Sequence, residues 1–296
     1  MKCTVNDGDE VHYDLRRPVG FVLGGGGSLG AVQIGMLKAL FEREIKPDLV
    51  VGTSIGAFNG AVLAADPDTA IDKLDRFWRS SRRTDTFPLR GIKPLLHWRR
   101  TRQSFYPNDG LMRSIDSVLR GYTNIDDLRL PFAAVAIDVQ RGRPVSFRTG
   151  PLQSALLASA AIPGLFPPVP RDGRLFYDGG LGNNVPMTDA VKMGAQSLVV
   201  LDTTSPTADL QPPNSLMELF SYVTEVYARQ MVIRDLNDLE HMPILYPPSP
   251  APGTMSPLDL AHTVELIEQA YEHTRDYLDL KITVDAARHS PPGAQN

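Results

Sequence analysis

The chain is poor in several features that would settle its class outright. It has one cysteine, Cys3, so no internal disulfide can form; the fold must rest on its core, which suits a reducing compartment. No stretch of about eighteen apolar residues occurs, so a membrane-spanning helix is not expected. The opening residues MKCTVNDGDEVHYDLRR are polar and acidic where a secretory leader needs an apolar run, which makes a cytoplasmic location the expectation. Nor is positive charge in excess. Lys and Arg number 30 against 34 Asp and Glu, for a formal net charge of −4, and no nucleic-acid partner is expected.

Apolar residues make up 42% of the 296, enough for one large α/β core. Residues 1–17 read as a flexible arm, 18–284 as one domain and 285–296 as a disordered tail. The stretch 18–23 predicts a core strand, followed by the glycine run 24–30 and a helical spacing at Val32, Met36, Leu37, Leu40 and Phe41. Leu49-Val50-Val51 predicts a second strand, completing a parallel β-α-β unit with a right-handed crossover. Residues 132–138 read as a buried strand turned back at Arg141-Gly142-Arg143 into a hairpin partner at 145–147. Short strands are expected at 175–177, 198–201 and 244–246. Helical patterns recur over 111–119, 154–161, 187–193, 215–240 and 257–280, which predicts an α/β fold with helices on both faces of its sheet.

Between the second strand and the Ala-rich helical pattern Ile55, Ala57, Ala61, Val62, Ala64, Ala65 stands Gly52-Thr53-Ser54-Ile55-Gly56. A strand that becomes a helix within so few residues forces its apex into a strained backbone. It also leaves no room for side chains two positions before and after, where Gly52 and Gly56 stand. Ser54 is thereby held at a helix start whose dipole favours negative charge, the arrangement of a nucleophile elbow. The competing reading is a chance match in a glycine-rich chain.

The glycine run admits three readings. Gly25-x-Gly27-x-x-Gly30 fits the dinucleotide fingerprint, but that also needs an acidic residue near the end of the second strand, where Gly52-Thr53-Ser54 stands instead. A P-loop needs Lys and Ser/Thr after the last glycine, where this chain has Ala31-Val32. The third reading is an oxyanion hole made by the bare amides of Gly25, Gly26 and Gly27, brought beside the elbow by adjacent parallel strands. A purely structural glycine turn is its competitor.

A Ser-His-Asp device needs a placed histidine. Of the six, His12 and His289 lie near the termini, His97 in a basic segment, and His262 and His273 on the amphipathic C-terminal helix. His241, just before the last strand, stays open. Three aspartates, Asp138, Asp178 and Asp202, fall at the ends of expected strands, the first and last reading as turn caps. Asp178 differs because Gly179 and Gly180 follow it and let the carboxylate be approached closely. Drawn partly out of water, such a carboxylate becomes a competent base toward a hydroxyl.

Together these pieces resemble the patatin-like phospholipase family. The matching blocks are Leu23 to Ala31, Gly52 to Gly56, the block SAAIPGLFPP beginning at Ser159, and Asp178-Gly179-Gly180 with Asn184-Val185-Pro186 behind it. The resemblance covers roughly residues 18–203. It implies a three-layer α/β/α fold on a mostly parallel central sheet, a Ser-Asp dyad without histidine, and no metal or organic cofactor. It also implies lipid ester hydrolysis of the phospholipase A or lipase type. Carried over, Ser54 is nucleophile, Asp178 base, and Gly25, Gly26 and Gly27 supply the oxyanion hole. One position departs from the family: the basic residue usual before the last glycine of the loop is Leu29 here.

The segment 76–110 is expected to form a basic, aromatic cap. It holds Arg76, Arg79, Arg82, Arg83, Arg90, Lys93, Arg99, Arg100 and Arg102, with Trp78, Phe87, Trp98, Phe105 and Tyr106 interleaved. On an acidic chain this reversal of sign suits peripheral contact of residues 76–106 with a membrane. The competing reading is a solvated loop whose aromatics face the core. The expected partner is a lipid or acyl-ester substrate. The alternatives are an esterase or thioesterase for smaller soluble acyl substrates, and a lipid-binding scaffold that kept the elbow.

Overall fold

The computed structural model describes residues 13, 15–82, 92–204, 210, 212–214, 216–250 and 259–289. Phe87, Arg83, Arg90, Cys3 and His12 lie outside the described residues. Among the described residues eight strands make one sheet, β1 (Val19–Leu23), β2 (Leu49–Thr53), β3 (Phe132–Asp138), β4 (Arg143–Phe147), β5 (Val169–Arg171), β6 (Arg174–Asp178), β7 (Ser197–Leu201) and β8 (Ile244–Leu245). Strands β3, β2, β1, β7 and β8 lie side by side in that order and all run parallel. The hairpin β5–β6 and strand β4 join β3 antiparallel, so the sheet is mixed and mostly parallel.

Each central strand is apolar on both faces, as strands covered by helices on either side must be. From β1, Phe21 and Leu23 face the layer built from α1 (Val32–Phe41), α2 (Ile55–Ala65) and α3 (Ala70–Ser80), while Val22 faces the other way. Val50 and Val51 of β2 divide likewise, as do Val199 and Val200 of β7. Helix α4 (Lys93–Thr101) contributes no buried residue, whereas α5 (Asp109–Leu119) and α6 (Leu152–Ser159) lie on this first face and add Ile115, Leu119, Leu152 and Leu156 to its core. The opposite layer takes Met187 and Ala190 of α7 (Met187–Lys192) and Val232 and Leu236 of α8 (Leu216–Asp238). Helix α9 (Thr263–His289) returns to the first face, where Ile267 and Ala270 press on Gly35 of α1 so closely that a Cβ there would stand 2.1 Å from the Ile267 carbonyl. The result is an α/β/α sandwich.

Three expectations need correcting. The arm expected to end at residue 17 is already anchored by Arg16, whose N–H donates to Ser197 Oγ at 2.6 Å, and by Arg17, which pairs with Asp48. The tail expected from residue 285 begins as helix, because Ala286-Ala287-Arg288 favour continuing α9. The basic cap is not one surface. In α3, Arg79 pairs with Asp75 and Glu268, and Trp78 is buried with its indole N–H donated to Asn59 Oδ1 at 3.1 Å. That half follows the packed reading, whereas Ile92, Lys93, Leu95, Leu96, Arg99, Arg100 and Arg102 are exposed.

Candidate active site

Strand direction brings the site together. β4 occupies one edge of β3 over residues 134–138, so β6, which also pairs with β3 there, must share the edge used by β2. Thr53 of β2 pairs with Val135 and Asp178 of β6 pairs with Ala136, the next residue along. The two strands therefore run at each other along one edge of β3, and their C-terminal ends meet. The sequence suggested that Asp178 closes a strand at the same rim as Ser54; it reaches that rim from the opposite direction.

At the junction Ser54 Oγ donates to Asp178 Oδ2 at 2.6 Å. Both side chains are buried, Ser54 7% and Asp178 5% exposed. Burial pushes the Asp178 carboxyl up to about 6, against the pull of the hydrogen bonds from Ser54 and from Gly180 N–H to Oδ1 at 2.8 Å. Ser54 itself has φ 55 and ψ −124, a left-handed backbone that costs a non-glycine residue roughly 1–3 kcal/mol. The flanking glycines make the bend possible. A Cβ on Gly52 would stand 2.3 Å from the Gly56 carbonyl, and one on Gly56 2.2 Å from that of Leu23. The Ser54 N–H is held by Ser159 Oγ at 2.8 Å, and Ser159 in turn donates to Val135 O at 2.6 Å.

The glycine run lies against this elbow, since Leu23 pairs with Gly52 and a Cβ on Gly25 would stand 3.1 Å from that of Ser54. Its amides are not equivalent. Gly24 N–H donates to Leu201 O and Gly25 N–H to Asn184 O at 3.2 Å, so Gly25 is spent as a donor. The N–H groups of Gly26 and Gly27 have no acceptor among the described residues. The Gly25 carbonyl is gripped by Thr203 Oγ1 at 2.6 Å and Asn184 Nδ2 at 3.3 Å. In a trans peptide the next N–H points opposite to the carbonyl, so these two grips fix the direction of Gly26 N–H. Behind them Gln33 donates to Gly24 O and Leu201 O, and Asn59 donates to Gln33 and Gly30 O.

The remaining sites fall as follows. Gly30 packs under Ile55, and Gly179 under Val135. Asp138 caps the turn at Gln140 and Arg141 and pairs with Arg174, as a strand-end cap should. Asp202 accepts from Thr204 N–H and from Tyr246 Oη at 2.5 Å, and burial pushes it up to about 6 against those bonds. His241 is exposed beyond α8, and no described histidine hydrogen-bonds to Ser54 or Asp178. Leu29 is buried in the core. Among the described residues no His, Cys, Asp and Glu cluster is arranged to hold a metal ion.

Residues 21–191 match the patatin-like phospholipase family. The chain belongs to that family. Human patatin-like phospholipase domain-containing protein 6 is 35% identical over 190 residues, which is 63% of this chain and 13% of that protein. Lysophospholipase nte1 of Aspergillus terreus is 28% identical over 295 residues, 89% of this chain and 18% of that one. Among solved structures, VipD from Legionella pneumophila overlays with a TM-score of 0.49 at 14% identity, covering 90% of this chain and 67% of the other. The patatin-like chain thus spans less than a fifth of those two curated relatives. Sequence reasoning left Ser159, Asn184 and Thr203 without roles. The first two stood inside matched blocks, whereas Thr203 carried no local signal at all.

Proposed function

We propose that the chain is a serine acyl hydrolase that cleaves carboxylic esters of lipids through Ser54 and Asp178, residues 18–284 forming one catalytic unit. The observation that carries this reading is the 2.6 Å hydrogen bond from Ser54 Oγ to a carboxylate whose burial moves it to about 6. A base of that strength is ionised at neutral pH yet holds a proton far better than a solvated aspartate. Ser54 Oγ attacks the ester carbonyl carbon while Asp178 Oδ2 takes the hydroxyl proton. The oxygen that becomes negative is received by Gly26 and Gly27 N–H, donors of a kind worth about 3–4 kcal/mol each in the transition state. Collapse expels the alcohol, which recovers the proton from Asp178 and leaves an acyl-Ser54. Water, deprotonated by the same carboxylate, attacks the acyl carbon, and Ser54 Oγ departs with the proton returned by Asp178, releasing the acid. Histidine has no part in this scheme.

A fluorophosphonate probe tests it, since such probes label only an activated serine. The full chain should label and Ser54→Ala should not; equal labelling of both, or of neither, contradicts the proposal. Hydrolysis of a chain-length series of nitrophenyl esters beside phospholipid vesicles identifies the substrate class. Long-chain and vesicle lipids are expected to be preferred, and a preference for short soluble esters would favour the esterase reading.

A further inference from the structure

Helix α4 is turned inside out. At about 100° per residue, Ile92, Lys93, Leu95, Leu96, Arg99 and Arg100 share one arc, and Pro94, His97, Trp98 and Thr101 share the other. All six of the first set are exposed, with Ile92 at 71%, Leu95 at 51% and Leu96 at 53%, while the second set is half-buried. A surface helix normally presents its apolar stripe to the core. Here three bulky aliphatic side chains face outward with three cations among them. No acidic residue occurs in the helix, and among the described residues Lys93, Arg99 and Arg100 have no acidic partner. Arg102, one residue beyond, lies over the Trp98 ring at 5.4 Å, and Trp98 stacks on Phe105.

The helix is tied to the active-site rim. Ser104 bridges to Gly164, and the N–H groups of Phe105 and Tyr106 donate to Gly164 O and Leu165 O. The strap they hold begins a few residues after Ser159, whose hydroxyl receives the Ser54 amide. We propose that α4 docks the protein on an anionic lipid surface, with Ile92, Leu95 and Leu96 entering the acyl boundary and Lys93, Arg99 and Arg100 contacting headgroup phosphates and carboxylates. Charge complementarity selects this occupant: on a chain of net charge −4 the outer face of α4 is wholly cationic and apolar, the composition of an interfacial helix. No helix among the described residues is long and apolar enough to cross a membrane, so the contact is made from the surface. Its purpose, delivery of lipid esters to Ser54, rests on the hydrolase reading above; the binding does not.

The test is co-sedimentation of the full chain with phosphatidylcholine vesicles, with and without phosphatidylserine, beside turnover of dissolved nitrophenyl butyrate. The wild-type chain should bind the anionic vesicles and be released by salt. Arg99→Glu/Arg100→Glu and Leu95→Ser/Leu96→Ser should each weaken that binding by about tenfold or more, with turnover of the dissolved ester retained as proof of folding. Unchanged binding in both variants overturns the proposal. So does equal binding to neutral vesicles, or a dimer that the substitutions dissociate while vesicles are ignored. A wild-type chain that binds as stated but hydrolyses no ester supports the docking surface and removes the hydrolase reading.

Discussion

In the proposed reaction, the residues that orient the groups around Ser54 are mostly not those that would touch a substrate. Thr203 and Asn184 hold one carbonyl, and through the planarity of a single peptide they fix the direction of the Gly26 amide, the donor proposed for the oxyanion. Thr203→Val keeps the side-chain shape and deletes the shorter of the two grips. It is expected to lower kcat about tenfold with KM little changed, while Thr203→Ser retains activity; steady-state kinetics on a soluble ester checks both. A kcat untouched by Thr203→Val would show that the loop holds its direction without the hydroxyl. The sequence exposes Ser54 and Asp178 because each sits in a glycine frame required by its own few residues. It hides Thr203, Asn184 and Ser159 because their partners lie 178, 159 and 105 positions away, and no local pattern encodes a bond of that span.

At the scale of elements the legible part is the run from β1 to α2. Buried strands announce themselves as continuous apolar stretches, and Gly52 and Gly56 mark where backbone must approach backbone. Gly56→Ala is expected to be far more damaging than its single methyl suggests, because the atom it meets is the Leu23 carbonyl at 2.2 Å and neither side can yield cheaply. Thermal unfolding should show a loss of about 2–4 kcal/mol or an insoluble product. A variant of wild-type stability would mean that the elbow is looser than described. The direction of β6 was not legible. The pattern of 174–178 announces a short strand but is silent on β6 running against β2 along the edge of β3, and it is this opposition that brings Asp178 to Ser54. The basic segment failed as a unit for the same reason: Arg79 finds Glu268 and Trp78 finds Asn59 only once α9 and α2 are packed beside α3.

For the molecule as a whole, the buried carboxylates carry a cost that the pH of the solution sets. Asp178 and Asp202 both stand at about 6 in the fold against 3.8 unperturbed, so protonation favours the folded state. The stability they allow is fully present below about 3.8 and is lost as pH rises through about 6. Asp178→Asn removes one of these groups. It should therefore melt several degrees above the wild-type chain at pH 8, a gain of ~3 kcal/mol at most, and the advantage should close as pH falls from 6 to 4. A variant that is less stable at pH 8 would show that the carboxylate is not held above its ordinary range.

The central claim is that a buried carboxylate, with no histidine, activates Ser54. The most direct measurement is kcat/KM on a soluble nitrophenyl ester across pH, for the wild-type chain, Asp178→Asn, Asp202→Asn and His241→Ala. The wild-type profile should fall on the acid side with a midpoint near 6. Asp178→Asn should lose about a thousandfold or more at every pH, and the other two variants should keep both the rate and the midpoint. Activity that survives in Asp178→Asn, or that disappears in His241→Ala, would contradict the account.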